Sequence, residues 1–133
     1  MARAGVRAAR VAAQLSVLAA PVAAEDYRCT LTLDCEGRAG CTPRTIDIAF
    51  AIDARQFAPP ASPDDPPRQK ITEVRLDDTT FRAEPFRMEN GVRGFWGNGV
   101  NQSRMLVIEP DGAARYVELQ QGPPFTGFCE ASP

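Results

Sequence analysis

The sequence contains no histidine among its 133 residues. An imidazole is therefore unavailable as a general base, as the partner of a serine or cysteine nucleophile, as a zinc ligand or as a pH-sensitive switch. This absence excludes most of the familiar hydrolase mechanisms. Lysine is almost absent as well, because Lys70 is the only one and the other basic residues are arginines.

Helical repeats and long apolar runs are also missing. No segment after residue 24 repeats apolar residues at helical spacing over three turns. The apolar run at residues 11–20 is shorter than the roughly 20 residues that cross a bilayer. Arginines precede this run and small residues follow it, at positions 22 and 24. The pattern predicts a secretory signal peptide over residues 1–24, cleaved after Ala24, followed by one domain over residues 25–133.

Cleavage would make the chain clearly acidic. It removes three of the 15 basic residues and none of the 17 acidic ones, which leaves 12 against 17 and a net charge of −5. We therefore expect no nucleic-acid partner and, after cleavage, no membrane association. The abundance of Arg, Ala, Gly and Pro is typical of a GC-rich bacterial genome. We expect a periplasmic or secreted protein.

Four cysteines remain in the exported part: Cys29, Cys35, Cys41 and Cys129. An even number in an oxidising compartment predicts two disulfides, for which three connectivities are possible. We favour Cys35–Cys41 with Cys29–Cys129, because the five residues between the first two include two glycines and suit a hairpin loop. The C-x5-C-x5-C spacing lacks the CxxC arrangement of metal and redox sites. We therefore expect no metal and no cofactor.

The remaining chain is typical of short strands separated by turns. Residues 27–35 and 44–53 alternate strictly between apolar and polar side chains. Weaker strand patterns follow at residues 70–76, 79–88, 92–96, 102–109, 113–121 and 126–130. Seven or eight antiparallel strands predict an all-β domain, either a small meander barrel or a sandwich. A bridge between the first and last strands favours the barrel.

Proline and glycine mark the irregular places. The proline-rich segment at residues 57–69 predicts an exposed, extended loop. Pro85 predicts that its strand is an edge or ends early. Asn90-Gly91 predicts a tight hairpin in which both central residues have positive φ. Residues 105–108 are apolar on both faces and predict a central strand.

The clearest functional signal is Gly-Phe-Trp-Gly-Asn-Gly at residues 94–99. On a strand, only one of Phe95 and Trp96 can face the core, so the other lies outside or at a barrel mouth. Aromatic residues beside glycines suit a contact site, and we take Phe95, Trp96 and Asn98 as candidate binding residues. The alternative is that Trp96 fills the core and Phe95 packs under a loop.

These observations favour a non-enzymatic periplasmic binding or inhibitor module that contacts a protein or a glycan. A second hypothesis is an envelope structural or assembly protein whose segment 57–69 docks a partner. A third is a carboxylate-based hydrolase, for which two convergent acids about 5 to 10 Å apart would be needed. Its candidate acids, none singled out by spacing, are Asp34, Glu73, Glu89, Glu109 and Glu118. We expect that the protein is not an enzyme.

Two resemblances accompany this interpretation. Tyr27-Arg28-Cys29, residues 111–117 and residues 127–130 resemble short periplasmic four-cysteine proteins of GC-rich bacteria, a likeness that implies no activity. The same segments are loosely similar to periplasmic lysozyme inhibitors, which are eight-stranded barrels with a Tyr-x-Cys start, a Gly-Ala-Arg-Tyr-like motif and a terminal bridging cysteine. That resemblance implies a barrel that binds a cationic enzyme. Asp111 replaces the serine of the motif and the downstream Lys-Gly pair is missing, so the inhibitory residues do not carry over.

Overall fold

The computed structural model describes residues 24–60, 62–64, 69–99, 102–118 and 122–132. This part of the chain forms strands and no helix. The strands are β1 (Glu25–Leu33), β2 (Thr45–Ile52), β3 (Phe57–Ala58), β4 (Gln69–Lys70), β5 (Thr72–Leu76), β6 (Thr79–Arg87), β7 (Arg93–Gly99), β8 (Gln102–Ile108), β9 (Ala113–Glu118) and β10 (Phe125–Ser132). The predicted signal peptide lies outside the described residues except for Ala24, and it stays a prediction.

Eight of the strands form a closed antiparallel barrel. Around the barrel the order is β1, β10, β9, β8, β7, β6, β5 and β2, and β1 also pairs with β2. Chain neighbours are therefore barrel neighbours, apart from the β3–β4 ribbon that is inserted between β2 and β5. The predicted all-β meander barrel is confirmed, and the sandwich is excluded.

Alternation of side chains explains the core. In β1, Tyr27, Cys29 and Leu31 are buried inside the barrel, whereas Arg28 and Thr30 between them are exposed. Each of the eight barrel strands contributes its inward set in this way, which is the period of two that the sequence shows. The largest fully buried side chains are Tyr27, Tyr116, Phe95, Leu31, Ile46, Ile48, Leu106, Ile108, Val74 and Thr72.

Both predicted disulfides are confirmed. Cys29 and Cys129 are register partners in β1 and β10, and their bridge lies in the core. It joins the two strands whose pairing closes the barrel. Cys35–Cys41 closes the connection between β1 and β2. Disulfides of this kind belong to an oxidising compartment outside the cytoplasm.

Two glycines permit the close approach of neighbouring strands in this small barrel. A Cβ atom on Gly94 would lie 1.9 Å from the carbonyl oxygen of Leu106, and one on Gly127 would lie 2.1 Å from that of Thr30. No side chain fits at either distance. Glycine in a strand interior commonly marks such a contact or a sharp bend.

The hairpin turns differ in one respect from the prediction. The amide of Met88 donates to the carbonyl of Val92, so the β6–β7 loop has three residues, and only Gly91 has a positive φ, of 89°. The prediction of two central residues with positive φ is wrong, because a three-residue loop places only its last residue in the left-handed region. The β8–β9 loop repeats this geometry with Gly112.

Pro85 lies in the part of β6 that pairs with β7 alone, since β5 pairs only with the preceding residues 79–83. β6 continues to Arg87, and only its residues 84–87 lack a pairing with β5. Segment 57–69, for which the sequence predicts an exposed, extended loop, pairs at its ends as the two-residue strands β3 and β4. Residues 61 and 65–68 lie outside the described part of the chain.

Candidate binding surface

The outer surface of the barrel has two walls of opposite character. We call the outward residues of β1, β2 and β5 the polar wall; they include Asp26, Arg28, Thr30, Asp47, Glu73 and Arg75. We call a set of half-buried outward residues on β6 to β9 the apolar wall: Phe86, Trp96, Met105, Val107 and Val117. Each apolar-wall residue neighbours an inward core residue in sequence, so alternation turns it outward.

The apolar wall is assembled by strand register. Trp96 on β7 is opposite Met105 on β8, and Met105 is opposite Val117 on β9. In the next row, Phe86 is opposite Gly94, and Gly94 is opposite Val107. Directly opposed side chains on one face of a sheet are in contact range. The result is a continuous apolar surface on the outside of the barrel.

Phe95 lies on the inside of β7 and has no exposed surface. Its ring packs against those of Phe50, Phe81 and Tyr116, with centroids 5.1, 5.8 and 6.4 Å away. Phe95 is therefore a core residue and not a contact residue, because strand parity places it opposite to Trp96. The alternative in which Trp96 fills the core is wrong for the same reason.

Asn98, the third candidate binding residue, pairs through its backbone with Ser103 in the β7–β8 hairpin. Its side chain lies outside the described part of the structure. The candidate surface therefore consists of Trp96 and neighbours that the sequence did not single out. Met105 and Val117 were missed because their adjacency to Trp96 depends on the register of three strands.

A groove of about 200 Å³ connects Trp96 with the β3–β4 ribbon. Its lining includes Ala58, Gln69, Lys70, Arg82, Glu84 and Trp96. The base of the proline-rich segment thus borders the apolar wall. Two features that the sequence suggested separately, the aromatic-glycine strand and the proline-rich segment, meet at one surface.

The two tyrosine hydroxyls at the barrel openings are hydrogen-bonded to glutamates. The Tyr116 hydroxyl donates to Glu118 Oε1 at 2.9 Å, and burial is the main reason that the Tyr116 pKa lies well above its usual value. The Tyr27 hydroxyl donates to the Glu25 carboxylate, which also accepts from Arg87. Burial, reinforced by this hydrogen bond, raises the pKa of Tyr27. Both phenols are neutral donors that close the core.

Arginine side chains cover aromatic rings at both openings. The guanidinium of Arg93 lies 5.3 Å from the centroid of the Tyr27 ring. At the opposite opening, Arg104 lies 4.2 Å from Phe81. In such a cation–π contact the guanidinium is attracted to the face of the ring, and the aliphatic stem of the arginine covers apolar surface. These arginines therefore contribute to the structure of the core.

The five candidate acids of the hydrolase hypothesis lie in three regions of the fold. Glu73 is on the outer face of β5, Glu89 and Glu109 are in hairpins at one end, and Asp34 and Glu118 are toward the other end. Within the described ranges, no group of three or more cysteine or acidic residues is arranged to hold a metal ion.

Comparison with protein-family models, with curated proteins and with solved structures found no match. The two resemblances noted in the sequence therefore stay predictions. The described residues include no helix that could span a membrane.

Proposed function

We propose that the protein is a non-enzymatic binding or inhibitor module, periplasmic or secreted, that contacts a protein partner through the apolar wall. One observation carries this proposal: Trp96, Met105 and Val117 lie side by side on the outside of a closed barrel. Apolar groups gathered on the surface of a protein otherwise rich in charge mark interaction sites.

The composition of the wall supports a protein partner over a glycan. The buried centres of protein interfaces are enriched in aromatic residues and methionine and depleted in charge. Trp96, Met105 and Val117 match that composition, and the charges beside them in the lining of the groove include Glu84, the register partner of Trp96 on β6, and Arg82. A glycan is the alternative partner, since Gln69, Lys70 and Arg82 in the groove beside Trp96 supply the polar groups that it would require.

The scaffold supports this role energetically. The wall is built on paired strands of a barrel that is closed by the Cys29–Cys129 bridge. Its side chains are consequently ordered before a partner arrives. Binding to a preorganised surface loses less conformational entropy, so that more of the contact energy appears as affinity.

The test is capture of partners from periplasmic extract by immobilised protein, quantified by mass spectrometry. Trp96→Ala is expected to weaken capture of a specific partner at least about tenfold, as for an interface hot spot. Met88→Ala is the matched control, because Met88 is 55% exposed and lies outside the wall. It is expected to leave capture unchanged.

A second wall variant distinguishes loss of binding from loss of fold. Val117→Asp places a charge on the wall and leaves the tryptophan in place, and is also expected to abolish capture. Equal capture by wild type and both wall variants, all folded by circular dichroism, would contradict the proposal. Binding of purified glycan strands instead of protein, lost in Trp96→Ala, would assign the wall to a glycan.

The envelope-assembly hypothesis keeps one supporting observation, since the β3–β4 ribbon lines the same groove as Trp96. Replacing residues 59–67 with a short Gly-Ser linker tests it. Loss of capture in this deletion, together with unchanged capture in Trp96→Ala, would assign the contact to the proline-rich segment.

A further inference from the structure

Phe128 projects from the barrel beside a second groove. Its side chain is 66% exposed, more than any other large apolar side chain that the structure describes. The groove beside it has a volume of about 600 Å³ and is mostly apolar. We call it the Phe128 groove; its lining includes Val107, Glu109, Ala113, Arg115, Thr126, Gly127 and Phe128.

A small outward residue makes the groove concave next to the ring. Ala113 on β9 is the register partner of Phe128, so only a methyl group lies beside the ring on that strand. Gly127 faces into the barrel, as its register partners Leu31 and Ala114 do, and lines the groove with backbone alone. A protruding aromatic ring thus stands directly beside a shallow apolar depression.

The groove also carries one charged residue of each sign. Arg115 lies on β9 opposite Val107, and Glu109 follows β8. Both are exposed, and neither forms an ion pair within 4.0 Å with a residue that the structure describes. The groove therefore combines a ring, a depression and one charge of each sign, neither of which forms an ion pair with the described part of the chain.

We propose that two copies of this chain associate about a two-fold axis through their Phe128 grooves. In a two-fold contact the same patch meets itself, so the patch must be self-complementary. Phe128 of each copy fits the depression of the other, and Arg115 of each copy meets the Glu109 of the other. A ligand of one charge would satisfy only one of these two side chains.

The association is expected to be weak and concentration-dependent. Eight described residues line the Phe128 groove, fewer than the roughly 20 to 30 residues that each partner contributes to a stable interface. The groove spans β8 to β10 and shares Val107 with the apolar wall, but its lining does not include Trp96 or Val117. The dimer therefore goes beyond the proposed function, and substitutions at Trp96 and at Phe128 test the two separately.

The test is sedimentation velocity of the disulfide-bonded protein over a range of concentrations, with charge-swap variants. Arg115→Glu and Glu109→Arg each place like charges opposite one another across the two-fold axis. Each is expected to weaken dimerisation at least about tenfold. The double variant Arg115→Glu/Glu109→Arg recreates opposite charges and is expected to recover most of the affinity.

Phe128→Ala is expected to abolish the dimer, with Met88→Ala as a control that retains it. The proposal is overturned if the wild type stays monomeric up to millimolar concentration, or if Phe128→Ala dimerises as the wild type does. It is also overturned if the double charge swap is as weak as the single variants. Thermal unfolding of each variant separates loss of association from loss of fold.

Discussion

Cys29 and Cys129 lie directly opposite each other in β1 and β10, and both side chains are inside the barrel. The bridge spans a sequence separation of 100 residues. It therefore restrains almost the whole described chain in the unfolded state. The second bridge, Cys35–Cys41, spans only six residues and restrains one connection.

The first prediction concerns the relative contribution of these bridges to stability. In the loop-entropy account, closure of about 100 residues contributes about 4 to 5 kcal/mol, and closure of a loop as short as Cys35–Cys41 contributes about 2 kcal/mol. Cys29→Ala/Cys129→Ala is therefore expected to lower the free energy of unfolding by more than Cys35→Ala/Cys41→Ala does. Urea denaturation monitored by circular dichroism measures both. Equal losses would show that the long bridge does not restrain the chain in this way.

The second prediction concerns the two phenols, which are the only tyrosines in the sequence. Burial raises the pKa of Tyr116 well above its usual value, and it also raises that of Tyr27. Tyrosinate absorbance of the native protein is therefore expected to rise at higher pH than in urea, where both phenols ionise near pH 10. Tyr27→Phe assigns the remaining titration to Tyr116. A native midpoint near pH 10 for that variant would contradict the buried position of Tyr116.

The same shifts set the direction of the alkaline stability change. The folded pKa values lie above the unfolded ones, so the folded protein holds more protons above about pH 10. The two phenols make their full contribution to the free energy of unfolding below that pH, and this contribution is lost as the pH rises through the folded pKa values. Urea midpoints should decline above about pH 10, and less steeply in Tyr116→Phe.

The third prediction uses two glycines in the same strand. Gly94→Ala forces a methyl group to 1.9 Å from the Leu106 carbonyl oxygen, whereas in Gly97→Ala the nearest atom is a ring carbon of Phe81 at 3.4 Å. Gly94→Ala is expected to prevent folding or to cost more than about 3 kcal/mol, and Gly97→Ala less than about 1 kcal/mol. Thermal denaturation compares them. If both variants unfold at similar temperatures, the close strand approach at Gly94 is wrong.

The strand pattern and the disulfides could be predicted from the sequence because both are local or pairwise signals. Alternation assigns the faces of β1 and β2 before any partner is known, and the loop between Cys35 and Cys41 has hairpin length. The apolar wall could not be predicted in this way. Trp96, Met105 and Val117 come together only through the register of β7, β8 and β9, which the hairpin geometry sets.

Phe95 shows a related limit of prediction from the sequence. The sequence indicates that Phe95 and Trp96 face opposite sides of a strand, but parity alone does not say which one faces inward. The aromatic packing around Phe95 decides it, and that packing is contributed by β2, β6 and β9. The β3–β4 ribbon was missed because two residues on each strand are too few for a periodic pattern.

The most direct test of the apolar wall as a contact surface is photo-crosslinking in the native compartment. A photoreactive side chain is introduced at Val117 on the apolar wall or at Arg75 on the polar wall, and adducts are identified by mass spectrometry. Our account predicts a specific protein adduct from position 117 that is absent from position 75 and is lost when Trp96→Ala is added. Adducts of equal yield from both positions, or from position 75 alone, would contradict it.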